Sequence, residues 1–187
     1  MSRINLIVIL MAAFLCVYIQ TAFQGLRNVI NAQFDLLPAL MAYVALSADL
    51  VAVAALALVG GVLFDTLSAN PLGVSILPLF FIGAFLQFRH DLILRDMAYA
   101  QFVVGCCVSA SAPVLTLIGM WLMGERPIVG LGTLWQWLVM ALFGGVVTPL
   151  FFQLFDRLEL ALNYSTAPAY NESMARRDRE IKRGRGY

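Results

Sequence analysis

Charge is what this chain of 187 residues has least of: 12% of its residues are Asp, Glu, Lys or Arg, against about 25% in an ordinary soluble domain. Histidine occurs once, as His90, and cysteine three times, as Cys16, Cys106 and Cys107. An odd set of cysteines, all inside apolar runs, does not make a disulfide framework, so they read as small packing residues. His90 stands between Arg89 and Asp91 after an apolar run, where a solvated loop side chain is expected rather than a catalytic one. Such scarcity leaves no metal-ligand cluster, nucleophile elbow or phosphate-binding loop in the sequence. No cofactor or nucleic-acid partner is expected. What abounds is apolar surface: 61% of residues are hydrophobic and the mean hydropathy is +0.86. Charge-free apolar stretches of 18 or more residues recur, more than a water-soluble core of this size accommodates. The expectation is an all-α integral membrane protein.

The charge-free intervals are 4–26, 36–48, 50–64, 66–88, 97–124 and 127–155, which predicts six transmembrane helices. At about 1.5 Å per residue the second and third reach only about 20 and 22 Å, short of a hydrocarbon core of roughly 30 Å. They are either two short helices meeting near Asp49 or one long span, 36–64, carrying Asp49 within it. The basic, apolar start lacks a clear small-residue cleavage site and reads as a retained span. With both ends of a six-span chain in the cytoplasm, ten of the twelve cations, all but Arg27 and Arg126, lie inside, as the positive-inside rule asks. Five spans exchange Arg3 for Arg27 and score the same, so charge places the C-terminus inside and leaves the N-terminus open.

Small residues four apart mark faces for close helix contact: Ala57 and Gly61, Gly105 and Ser109, Ala141 and Gly145. The densest patch is VVGCCVSASAP at 103–113, where Gly105, Ser109 and Ala112 form a candidate packing face and Pro113 predicts a kink. Trp121, Trp135 and Trp137 flank Glu125 and Arg126, as in an interfacial aromatic belt. A transmembrane domain over 1–158 is followed by a basic tail, 159–187. Its last seventeen residues hold six cations and three acids, a composition suited to anionic lipid or an acidic partner, or to a solvated end that fixes topology.

The organising stretch is GGVLFDTLSANPLG, residues 60–73. Gly60 and Gly61 admit a close backbone, Asp65 ends the apolar run, Ser68 falls in a turn, and Asn70 followed by Pro71 reads as a helix cap, with Gly73 beyond. Asp35, Asp49 and Asp65 are the acids near membrane depth, and such an acid is costly unless its oxygens are satisfied. Asp65 is expected to accept hydrogen bonds from backbone amides of 66–73, a structural role rather than ion or proton handling.

The run GGVLFDTLSANPLGVSILPLFFIGAFLQF, 60–88, resembles the signature region of the rod shape-determining protein MreD family, with its glycine-rich helix, Asp65, the Leu67-Ser68 turn and Pro71-Leu72-Gly73. FDLLPALMAYVAL from 34 and FDRLELAL, 155–162, are similar to other parts of that family. The likeness covers about residues 4–162; the segment around Asp65 is its specific part, and the tail after Tyr164 lies outside it. It implies a non-enzymatic inner-membrane scaffold of the bacterial cell-elongation complex that binds MreC and helps control cell shape and peptidoglycan synthesis. RodA, a class B penicillin-binding transpeptidase and MreB belong to the same implied assembly. It also implies a fold similar to the substrate-binding subunits of energy-coupling-factor transporters, hence six spans with both ends cytoplasmic. The small-residue patches at 54–61 and 103–112, with the Asp65 loop, are where partner contacts are expected.

The alternative is a substrate-binding membrane subunit of a small-molecule, vitamin-type importer, with Gln20, Gln24, Arg27, Asn28 and Asn31 supplying part of a polar pocket. A lipid-handling protein is a third possibility for which no head-group site stands out.

Overall fold

The computed structural model describes residues 3–22, 34–67, 71–89, 97–124 and 130–184, with side chains as far as residue 158. Among the described residues six α-helices follow one another: α1 (Arg3–Ala22), α2 (Leu37–Ser47), α3 (Leu50–Leu67), α4 (Ile76–Phe88), α5 (Ala98–Leu122) and α6 (Leu131–Gly184). Three segments, Leu50–Leu67, Ala98–Leu122 and Gly132–Leu158, are long and apolar enough to cross a membrane. The chain divides into two compact units, Met1–Phe151 and Phe152–Tyr187. The first contains α1 to α5 and the opening of α6; through the second, helical backbone continues to Gly184, across the segment expected as a separate tail.

Of the two readings of residues 36–64, the structure has the pair of helices. α2 stops at Ser47, Ala48 turns to extended backbone, and α3 starts again at Leu50. Exposed Asp49 gives its carbonyl oxygen to the N–H groups of Ala52 and Val53, so it opens α3 rather than lying inside a span. The helix lengths differ from those expected. α3 runs 18 residues, about 27 Å, because it continues through Asp65 to Leu67. α4 has only 13, about 20 Å, because residues 72–75 are turn. The short helices are thus α2 and α4.

Apolar residues line the exposed as well as the buried faces of the helices. In α1, Ile9, Ala13, Cys16 and Val17 face inward while Ile7, Met11, Phe14, Leu15 and Tyr18 are exposed. In α4, Pro78, Leu79, Ile82, Gly83 and Leu86 are buried and Leu77, Phe81, Phe85 and Phe88 are exposed. Both outward faces are as apolar as the inward ones, which suits hydrocarbon and not water. α2 has no outward face: all ten residues from 37 to 46 are buried. It is the hub of the bundle and packs against α1, α3, α4 and α5. Close approach is what permits this, since a Cβ on Gly83 of α4 would come within 2.7 Å of Met41 Sδ in α2.

Helices consecutive in the chain run antiparallel. The beginning of α2 lies against the later part of α3 (Leu37 to Gly60), the end of α3 meets the beginning of α4 (Gly61 to Ile76), and the first half of α5 meets residues 144–148 of α6. Gln20, near the end of α1, bonds Asp35 just before α2. The end of α1 and the beginnings of α2, α4 and α6 therefore gather at one end of the first unit, the end at which α3 and α5 finish.

Candidate functional site

The α3–α4 corner is built around one carboxylate. Asp65 is 2% exposed and faces the turn that follows its own helix. Its Oδ2 accepts hydrogen bonds from the N–H of Gly73 at 2.8 Å and of Ser75 at 3.3 Å. These donors stand at the N-terminal approach to α4, where orphan amides and the helix dipole favour a negative group. The expected bonding of Asp65 to backbone amides of the following turn is present at Gly73 and extends two residues further, to Ser75.

The expected start of the next helix is corrected. Pro71 is not its first residue: the chain from Pro71 to Ser75 is turn, Gly73 takes φ +94°, and α4 begins at Ile76. A left-handed residue ends any helical course, and glycine takes it without a Cβ penalty. Ser75, the residue before α4, makes no side-chain cap; the acceptor comes from Asp65 in the preceding helix instead. Ser68 and Asn70 lie outside the described residues.

The two glycines of this segment play unequal parts. A Cβ on Gly61 would come within 3.0 Å of the Cα and 3.1 Å of the N of Ile76, so α4's backbone rests directly on it. A Cβ on Gly60 would meet only Leu37 Cδ2 at 3.1 Å, the tip of a side chain. The α5 patch is occupied in the same way. A Cβ on Gly105 would meet the carbonyl oxygen of Gly144 at 2.7 Å and the Thr148 hydroxyl, and a Cβ on Gly144 would meet Ser109. Thr148, fully buried, returns its hydroxyl to the Gly144 carbonyl at 2.7 Å. Gly105 and Ser109 thus form a helix-packing face, and its partner is α6 of the same chain. Where the sequence pointed to Ala141 and Gly145 on α6, the close approach is made by Gly144 and Gly145, with Thr148 beside them. These small-residue positions are filled from within the chain.

A cavity of about 290 Å³ lies where α2 and α4 begin, α5 ends and α6 begins. Asp35, Ser75, Ser109, Thr116, Gln136 and Trp137 contribute its polar lining, and Ala112, Pro113, Leu79 and Phe64 are among its apolar walls. Asp35 sits in the connection between α1 and α2, outside the helices. Its Oδ1 accepts from the Leu37 N–H at 3.0 Å and from Gln20 Nε2 at 3.2 Å. Burial pushes this carboxyl up to about 6, against the lowering effect of those two bonds. The hydroxyls of Ser75 and Ser109 are buried and have no hydrogen-bond partner. Pro113 carries no N–H to give the Ser109 carbonyl one turn back. Phe34 packs on Phe143 with ring centroids 4.6 Å apart, tying the approach to α2 against α6.

Of the residues expected to supply a polar pocket, Gln20 is joined to this cavity through Asp35, while Gln24, Arg27, Asn28 and Asn31 lie outside the described residues, as does His90. Trp121 and Trp135 are exposed as an interfacial belt requires, but Trp137 turns to the cavity. The sequence reading missed the cavity because its polar groups are single residues on separate segments. Among the described residues no group of three His, Cys, Asp or Glu is placed to hold a metal ion. No protein-family model matches the chain, and neither a curated protein nor a solved structure is significantly similar to it.

Proposed function

We propose that this chain is a non-enzymatic scaffold of the bacterial inner membrane, similar to the MreD family, that binds an MreC-like single-span partner and helps set where peptidoglycan is made during cell elongation. In this reading its C-terminus is cytoplasmic, and RodA, a class B penicillin-binding transpeptidase and MreB belong to the wider assembly. The observation that carries the reading is the α3–α4 corner. The segment with the family likeness uses its one acid, Asp65, to bind its own backbone at Gly73 and Ser75. A carboxylate engaged in this way through Oδ2 shapes a helix corner, as suits a protein that works by presenting packed surfaces.

The test is co-purification of the full chain from bacterial membranes in mild detergent, with mass spectrometry of the proteins retained. Recovery of an MreC-like protein, weakened when Asp65→Ala loosens the corner, supports the scaffold. Recovery of an ATPase module without such a partner overturns it and favours the importer subunit, the second reading, for which the cavity beside Asp35 is the specific support.

A further inference from the structure

The cavity beside Asp35 is at the lower end of the size range of small-molecule sites, and its lining is chemically one-sided. It has a carboxylate, hydroxyls and an amide, and among the described lining residues no Lys, Arg or His. Asp35 uses Oδ1 for both of its hydrogen bonds, and Oδ2 accepts none among the described residues. Ser75 is 4% and Ser109 2% exposed, and both hydroxyls lack partners. Buried polar groups are nearly always satisfied, by protein or by something bound. Two unmet buried hydroxyls from separate segments meet the Asp35 carboxylate here. The Trp137 indole and apolar walls stand beside them, surfaces that accept an aromatic or aliphatic body and, at the indole face, a cation.

We propose that this cavity binds a small organic molecule carrying a protonated amine on an apolar body, the ammonium placed against Asp35 and the body between α4, α5 and α6. An anion is disfavoured because the only formal charge among the described lining residues is negative. A neutral alcohol satisfies the hydroxyls and leaves the carboxylate uncompensated. At about 290 Å³, the cavity has room for on the order of ten water volumes, enough for a monocyclic amine and too little for a two-chain lipid. A lipid can still offer the same chemistry through an ethanolamine headgroup. The proposal rests on the cavity and not on the scaffold reading, and its assay contains no partner protein.

The experiment is calorimetric titration of the purified full chain in detergent with benzylamine, phenethylamine and tyramine, and with 3-phenylpropionate and 2-phenylethanol as anionic and neutral counterparts. The expected result is saturable binding of at least one amine, at least tenfold weaker binding of its counterparts, and at least a tenfold rise of Kd in Asp35→Asn. Thr116→Phe, which fills the cavity from α5, is expected to abolish binding while leaving the thermal unfolding profile in place, and so covers the case in which Asp35→Asn does not fold. Added phosphatidylethanolamine that suppresses the amine signal, where phosphatidylglycerol does not, assigns the site to a headgroup amine; an unchanged signal assigns it to a free one. Binding of none of the amines, equal binding of amine and carboxylate, or undiminished binding in both variants overturns the proposal.

Discussion

Replacing Asp65 by Ala removes an acceptor that serves two backbone donors at once. The 2.8 Å bond from Gly73 has a charged acceptor, a class contributing about 1.5–3 kcal/mol. The 3.3 Å bond from Ser75 is weaker, but Ser75 is buried, and a donor left dry costs about 1–3 kcal/mol. Against this, Oδ1 of Asp65 is buried without a partner, so the truncation also removes a desolvated oxygen and regains part of the loss. The net is a destabilisation of about 2–3 kcal/mol. At about 2–4 °C per kcal/mol for a chain of this size, the midpoint falls by about 4–12 °C. Asp65→Asn keeps an oxygen where both donors point, loses the charge and exchanges the unpartnered Oδ1 for an equally unpartnered NH2, which sets its cost near 1 kcal/mol and about 2–4 °C. Thermal unfolding of the purified protein in one detergent, followed by circular dichroism, compares the three forms. A midpoint for Asp65→Ala within about 2 °C of the wild type, or an Asn variant as unstable as the Ala variant, refutes the reasoning.

The adjacent glycines separate in the same assay. Gly61→Ala presses a methyl against the backbone of Ile76 and is expected to cost about 1–3 kcal/mol, while Gly60→Ala meets only a Leu37 methyl that can turn aside and is expected to cost under about 1 kcal/mol; equal midpoints contradict this. Gly105→Ala forces α5 off the Gly144 carbonyl, so a loss of about 1–3 kcal/mol is expected, read as faster proteolysis and a lower unfolding midpoint. Asp35 gives a pH dependence with a definite sign. Burial raises its carboxyl in the fold from the ordinary carboxylate range to about 6, so the fold favours the protonated form, and this contribution is complete below the unfolded value and lost as pH rises through about 6. Among the described residues the groups facing it are Gln20, the Leu37 amide, the Cys16 thiol and the uncharged polar lining. The unfolding midpoint is therefore expected to fall between pH 4 and 7 in the wild type, with a flatter profile in Asp35→Asn; parallel profiles remove Asp35 as the cause.

The helical character and the six helices among the described residues are legible in the sequence because charge interrupts the apolar runs at or between helices, the rule that singles out Asp49 and Asp65. The service Asp65 performs was legible too, since a costly acid next to a turn has few ways to be satisfied. What escaped reading has a common cause in contacts across helices. Asn70-Pro71 has the look of a helix cap, yet α4 starts at Ile76 because Gly73 turns left-handed and Asp65 provides the acceptor from another helix. Ala141 fits the small-residue spacing with Gly145, yet the close approach to α5 is made by Gly144 and Gly145 beside Thr148, and only the side of α6 turned to α5 decides that. The cavity draws Asp35, Ser75, Ser109 and Gln136 from four separate segments, with no spacing that a linear reading detects. α2 was expected to be short, but nothing in LPALMAYVALS distinguishes protein from lipid as its surroundings.

That enclosure of α2 bears on biogenesis. A segment of 11 residues spans about 16 Å, roughly half the hydrocarbon thickness, and is too short to partition into the bilayer as a stop-transfer element of its own. It forms one arm of a hairpin with α3, and its ten buried residues complete their set of protein neighbours only once α4 and α5 have been made. The most central helix of the fold is thus the one that depends most on elements later in the chain than itself.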